Sequence, residues 1–204
     1  MSGAQPLQFV PALPAEESAR ANLYGLIARL FYAPPDENLI SELLAVGDAG
    51  EDRGPLGVAW RALLEACSAV SPAAVRDEHL VLFVGTGKSE VTPYLSHYLV
   101  RHSSDSPLVG LRQLLDSWGI ARREGVAEYE DHIAGVCETM RYVIAVQQRP
   151  PEEQKILFDG YLYRGGKAFC AAVSTSKDAR FYRLVANFAQ AFLDVEKTAF
   201  EMVG

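Results

Sequence analysis

The chemistry-bearing side chains of the sequence gather in two short segments. One is Val91-Thr-Pro-Tyr-Leu-Ser-His-Tyr98, where Tyr94, Ser96 and Tyr98 follow Pro93. Tyrosines at a loop–helix junction give contact area and a hydroxyl at small entropic cost, which suits recognition of a peptide. The same pair can equally anchor a loop. The other segment is Glu128-Tyr-Glu-Asp-His132, with Glu128, Glu130, Asp131 and an imidazole in a short run. Carboxylates gathered in this way can pair with arginines, or they can stabilise the positive end of a helix that starts there.

Catalytic readings of the remaining candidates fail on spacing. Gly85-Thr-Gly-Lys-Ser89 resembles the tail of a phosphate-binding loop. That loop needs a further glycine where Leu82 stands, and it must follow a buried strand. Ser96 and His97 are merely adjacent in sequence, which gives no nucleophile–base geometry, and no G-x-S-x-G elbow occurs. The four histidines, His79, His97, His102 and His132, form no H-x-x-x-H pair. Glu-x-x-His is not repeated on two helices, as a di-metal bundle requires. Cys67, Cys137 and Cys170 are too far apart for a C-x-x-C site and fall on apolar helical positions, as small buried hydrophobes in a reducing compartment do. The reading therefore expects no metal and no cofactor.

The elements that position these segments are helices. The i, i+3, i+4 pattern recurs along the 204 residues, and strand signals are scarce. Leu23, Leu26, Ile27, Leu30 and Phe31 make one stripe, closed by Pro34-Pro35. Leu39 to Leu44 make a second, and Trp60 to Cys67 a third. Ser71-Pro72 opens a fourth helix toward Phe83, and Ser106-Pro107 opens another that Gly119 terminates. A long helix is predicted from about Ala127 to Gln148, another from Glu152 that is weakened at Gly165-Gly166, and a last one from Lys177 to about Met202. The irregular stretch from Gly85 to Asp105 is the natural place for a functional loop. Residues 1–14, with Pro6, Pro11 and Pro14, read as a loose segment before a single all-α bundle of about eight to ten helices over residues 15–204.

Composition narrows the partners. Nineteen basic against 26 acidic residues give a formal net charge of −7, which repels a phosphate backbone and excludes nucleic acid. An acidic surface suits a basic peptide. Apolar runs such as Leu80 to Val84 are too short for a bilayer, and no basic residue precedes Arg20, so neither a membrane span nor a signal peptide is expected.

Taken in order, the motifs resemble those of the TorD/DmsD/NarJ family of cytoplasmic redox-enzyme maturation chaperones. Arg20-Ala-Asn-Leu-Tyr-Gly-Leu-Ile-Ala-Arg-Leu-Phe31 followed by Pro34-Pro35 is similar to that family's first helix. Glu78-His-Leu-Val-Leu-Phe83-Val-Gly85 resembles its acidic-x-x-x-Leu-Phe-x-Gly helix end, and Pro93-Tyr94-x-Ser96-x-Tyr98 its Pro-Tyr-x-Ser-x-Tyr segment. Glu128-Tyr-Glu-Asp131-His132 resembles its Glu-Pro-x-Asp-His motif, with Tyr129 in place of proline. The stretch from Ile156 to Gly166 departs from the family's Phe-Leu-x-x-His-Leu-x-x-Trp pattern.

The resemblance implies a non-enzymatic, cytoplasmic binding protein. Its client is the N-terminal twin-arginine signal peptide, or a comparable tail, of a molybdenum-cofactor oxidoreductase, held until the cofactor is in place. Carried onto this sequence, Glu128, Glu130 and Asp131 take the arginines and His132 fixes the carboxylate geometry. Tyr94, Ser96 and Tyr98 line the wall, while Phe83, Gly85 and Pro93 shape the groove. The working form is a monomer or a domain-swapped dimer, the irregular 85–105 connector being suited to exchange. Competing readings are a helical adaptor for a folded partner and a metal-dependent helical enzyme using Glu128, Asp131 and His132.

Overall fold

A computed structural model describes residues 12–48, 53–85, 89–99, 106–121, 125 and 128–202. Among these the regular structure is helical. Helix α1 spans Ala15–Tyr32 and stops at extended Ala33, because a residue followed by proline is pushed out of the α region. Helix α2 (Glu37–Val46) starts under Asp36, whose side chain accepts the Leu39 N–H, and ends at Gly47 with φ +67°. Helix α3 spans Pro55–Ala69. Helix α4 (Pro72–His79) is capped by the Ser71 hydroxyl and continues as a π-helical turn over Leu80–Val84. Gly85, at φ +63°, ends that turn, its N–H bonding the Leu80 carbonyl at 2.7 Å. Short α5 (Ser96–Leu99) and α6 (Pro107–Ser117) follow, the latter ending before Gly119 at φ +67°.

Helix α7 spans Ile133–Ala145, and α8 spans Pro151–Leu157. From α8 the chain passes through a π-helical stretch, Phe158–Gly166, directly into α9 (Lys167–Thr175). Helix α10 (Phe181–Met202) closes the described fold. No helix of the described residues is long and apolar enough to cross a membrane. Helix α1 lies along α7, while α10 packs on α3 and α9. Their buried faces join one core, with Phe31, Phe83, Phe169 and Tyr182 at one end and Tyr24, Trp60, Phe188 and Phe192 at the other. All three cysteines are buried and unpaired.

Three features differ from those the sequence predicts. The long helix begins at Ile133, not near Ala127, which lies outside the described residues. Its expected first turn is held in a bridge instead, in which Leu95 N–H bonds the Asp131 carbonyl at 2.8 Å and Ile133 N–H bonds the Pro93 carbonyl at 2.9 Å. The helix that starts at Pro151 is not interrupted at Gly165-Gly166, where a π-helical stretch passes into α9. A Cβ at Gly165 would lie 3.2 Å from Leu95 Cβ, and one at Gly166 would lie 3.1 Å from Leu193, so the glycines let two neighbouring elements press on the π-helical stretch. Helix α10 begins at Phe181, four residues later than predicted. There the Glu78 carboxylate accepts the N–H groups of Arg180, Phe181 and Tyr182.

Candidate functional site

The backbone bridge between Tyr94 and His132 brings the two chemistry-bearing segments together. Asp131 is only 3% exposed, and its side chain accepts the Ser96 N–H at the start of α5 at 3.3 Å. It is turned inward and organises the Pro93–Ser96 corner. Buried His132 caps α7, its Nδ1 accepting the Ala134 N–H at 3.1 Å. An Nδ1 that accepts places the ring proton on Nε2 and favours the neutral form. Burial acts in the same direction and lowers the His132 pKa, against the opposing pull of Glu128 and Asp131.

Around this buried pair lies an aromatic and acidic rim. The Tyr94 hydroxyl donates to Glu128. Burial and that carboxylate raise the phenol pKa well above its ordinary value. The Tyr94 ring stands edge-on to His132 at 5.5 Å and to Tyr129 at 6.0 Å. Tyr32, from the last turn of α1, packs against His132 at 6.4 Å. Tyr32 and Tyr129 are 58% and 55% exposed, so ring faces and a carboxylate edge border one another at the surface. Glu130 is bridged by Arg112 of α6 at 3.0 Å. The Ser96 hydroxyl is buried without a hydrogen-bond partner among the described residues.

The other expected site residues sit further back. Tyr98 donates to the Thr92 carbonyl at 2.9 Å and stands edge-on to Phe169 at 6.3 Å, and burial pushes its phenol up to about 12. Phe83 is buried in the Phe31, Phe169, Tyr182 cluster, and Pro93 is buried beside the bridge. Gly85 ends the π-helical turn after Phe83. The structure thus draws Tyr94, Ser96, Glu128, Asp131 and His132 into one corner, and puts Tyr98 and Phe83 beneath it.

Two participants were not identified from the sequence. Tyr32 directly follows the stripe that ends at Phe31, and Arg112 lies within α6. The signal for Tyr32 is an aromatic just beyond the apolar stripe and just before Pro34-Pro35. Arg112 carries none, since its role exists only through the approach of Glu130. Among the described residues, no cluster of three or more His, Cys, Asp or Glu is arranged to hold a metal ion. Chemically, the corner offers π faces and the Glu128 carboxylate to a guanidinium or ammonium group.

The helical bundle has the fold of a protein described as a redox enzyme maturation protein. A crystal structure from Archaeoglobus fulgidus, described as that of such a protein, superposes with a TM-score of 0.55 at 16% identity, covering 95% of this chain and 99% of that one. The model of the nitrate reductase delta subunit family matches residues 50–164. The chain belongs to that family, the one to which the TorD/DmsD/NarJ motifs point. No curated protein shows significant similarity to it.

Proposed function

We propose that this protein is a cytoplasmic chaperone that holds the N-terminal signal peptide, or a comparable tail, of a molybdenum-cofactor oxidoreductase until the cofactor is inserted. The observation that carries the reading is the convergence of Tyr32, Tyr94, Glu128 and Tyr129 on one exposed corner, built on the buried Asp131–Ser96 and His132–Ala134 contacts. A basic peptide end finds carboxylates and ring faces there, on a protein whose formal charge is −7. Within the site, Glu128 and Glu130 meet the arginines, Tyr94 and its neighbours form the wall, and Asp131 and His132 hold the corner in shape. The working unit is the helical domain of residues 15–204, as a monomer or a swapped dimer.

Calorimetric titration with leader peptides of the source organism's molybdoenzymes tests the reading. Each leader is paired with a control whose two arginines are alanine. The reading expects saturable binding of one leader, weakened at least about tenfold in its control. Equal binding of leader and control, or binding of no leader, would refute it.

A further inference from the structure

An apolar cavity of about 760 Å³ opens between α1, α2, α3 and α7. Leu26, Leu43, Trp60 and Phe188 are among the residues that line it. Its charged lining groups are paired off. Arg29 bridges Glu42 at 2.8 Å, and Arg141 bridges Glu138. The cavity therefore presents apolar surface within a rim of no net charge, which matches an uncharged apolar segment and disfavours an ionic ligand.

Its place on the fold relates it to the corner described above. Asn22, Gly25, Leu26 and Arg29 line the cavity from one face of α1, and Tyr32 continues that face by one more turn. Gly25 lies against Arg141, since a Cβ there would meet the Arg141 Cδ at 2.8 Å, while Tyr32 lies against His132. Helices α1 and α7 are thus antiparallel, and their seam runs from the cavity to the tyrosine–carboxylate corner. The seven residues from Gly25 to Tyr32 span about 10 Å at 1.5 Å per residue, a distance that about three extended residues cover.

We propose that this cavity is a second subsite of the client-binding face and receives the apolar stretch of the client peptide, whose basic end occupies the corner at Tyr94 and Glu128. The inference rests on the chaperone reading and deepens it, because it fixes the direction of the peptide along the α1–α7 seam. The acidic corner and the neutral apolar cavity lie in the order of a segment that is basic first and apolar next. The spacing adds a selection rule: an apolar stretch that starts within a few residues of the arginines reaches the cavity without a loop.

The test uses the full chain and a synthetic peptide with two adjacent arginines followed closely by a leucine- and alanine-rich stretch. Val46 lines the cavity at 68% exposure, so Val46→Cys leaves the core intact, and the three native cysteines are buried. A benzophenone on that cysteine is expected to crosslink, on irradiation, to the apolar stretch of the peptide. In parallel, Leu23→Glu and Val46→Glu at the cavity are expected to weaken the peptide at least about tenfold and to leave a truncated peptide bearing only the arginine end unchanged. A peptide that binds with parental affinity to both glutamate variants overturns the proposal and leaves the chaperone reading standing. So does one that crosslinks by its arginine end, and so does a crosslink to a second copy or to the chain's own residues while the peptide is bound. A peptide that fails to bind the parent protein overturns both.

Discussion

Glu78 heads the motif Glu78-His-Leu-Val-Leu-Phe83-Val-Gly85, yet its carboxylate lies away from the exposed corner, at the start of α10. Its Oε1 accepts the N–H groups of Arg180 and Tyr182 at 2.8 Å each, and its Oε2 accepts that of Phe181 at 3.1 Å. These are amides of a helix's first turn, which have no intrahelical partner, and a carboxylate there also meets the positive end of the helix dipole. Helix α10 carries Tyr182, Val185, Phe188 and Phe192 into the core, so its first turn cannot loosen without disturbing packing. Loss of an ordinary cap costs about 0.5–2 kcal/mol, and charge-assisted bonds stand at the upper end. Glu78 is half-buried, so water replaces part of what is lost. Glu78→Ala is therefore expected to cost about 2 kcal/mol, a fall in Tm of roughly 4–8 °C for a chain of this size. Glu78→Gln keeps one acceptor oxygen, enough for the Arg180 and Tyr182 amides, and is expected to lose about half as much. Urea denaturation of the three proteins, with an unchanged slope, measures both values. An alanine variant within about 0.5 kcal/mol of the parent, or a glutamine variant as damaged as the alanine one, would refute the reasoning.

Three further outcomes follow from the same contacts. Burial lowers the pKa of both His79 and His132, so the unfolded chain takes up their protons first as pH falls. Stability is then full above about pH 6.5 and declines below it by up to about 1.4 kcal/mol per pH unit for each histidine. His79→Phe, which keeps a ring among Phe83 and Tyr182, is expected to remove one histidine's share of that slope in denaturation at a series of pH values. Glu196 is 2% exposed and accepts from Arg20 through two nitrogens and from Tyr24, all at 2.8 Å. Glu196→Ala is expected to cost about 3–5 kcal/mol by leaving Arg20 and Tyr24 partly uncompensated, and a loss below about 1 kcal/mol in denaturant would contradict that. Gly165→Val presses on Leu95, whose N–H holds the Asp131 carbonyl. It is expected to cost about 1–3 kcal/mol and to speed amide exchange at Leu95 selectively, whereas uniform exchange would argue against a local effect.

Helix content, the start capped by the Ser71 hydroxyl, the start at Ser106-Pro107 (where proline leads but the serine side chain makes no cap bond) and the glycine stop at Gly119 were legible in the sequence, because each depends on neighbours within a turn. The start of the long helix was not. Residues 128–132 have helical spacing, but their backbone is committed to Pro93–Leu95, the bridged pair Tyr94 and His132 lying 38 residues apart in sequence. The π-helical path across Gly165-Gly166 was hidden for a similar reason, since the glycines answer to Leu95 and Leu193 and not to local propensity. Of the site, the Tyr94 and Glu128–His132 segments were recognisable by residue type. Their division of labour was not, because only the fold turns Asp131 inward and leaves Tyr129 out. Tyr32 joins them through the α1–α7 register alone.

The central claim is that the tyrosine–carboxylate corner reads the arginines of a client peptide. A double-mutant cycle in calorimetry tests it most directly, combining Glu128→Gln with replacement of the peptide's arginines by alanine. Glutamine keeps an acceptor for the Tyr94 hydroxyl, so the corner holds its shape while the charge is removed. The account predicts a coupling of at least about 1 kcal/mol between the two changes. Losses that add within about 0.3 kcal/mol would contradict it.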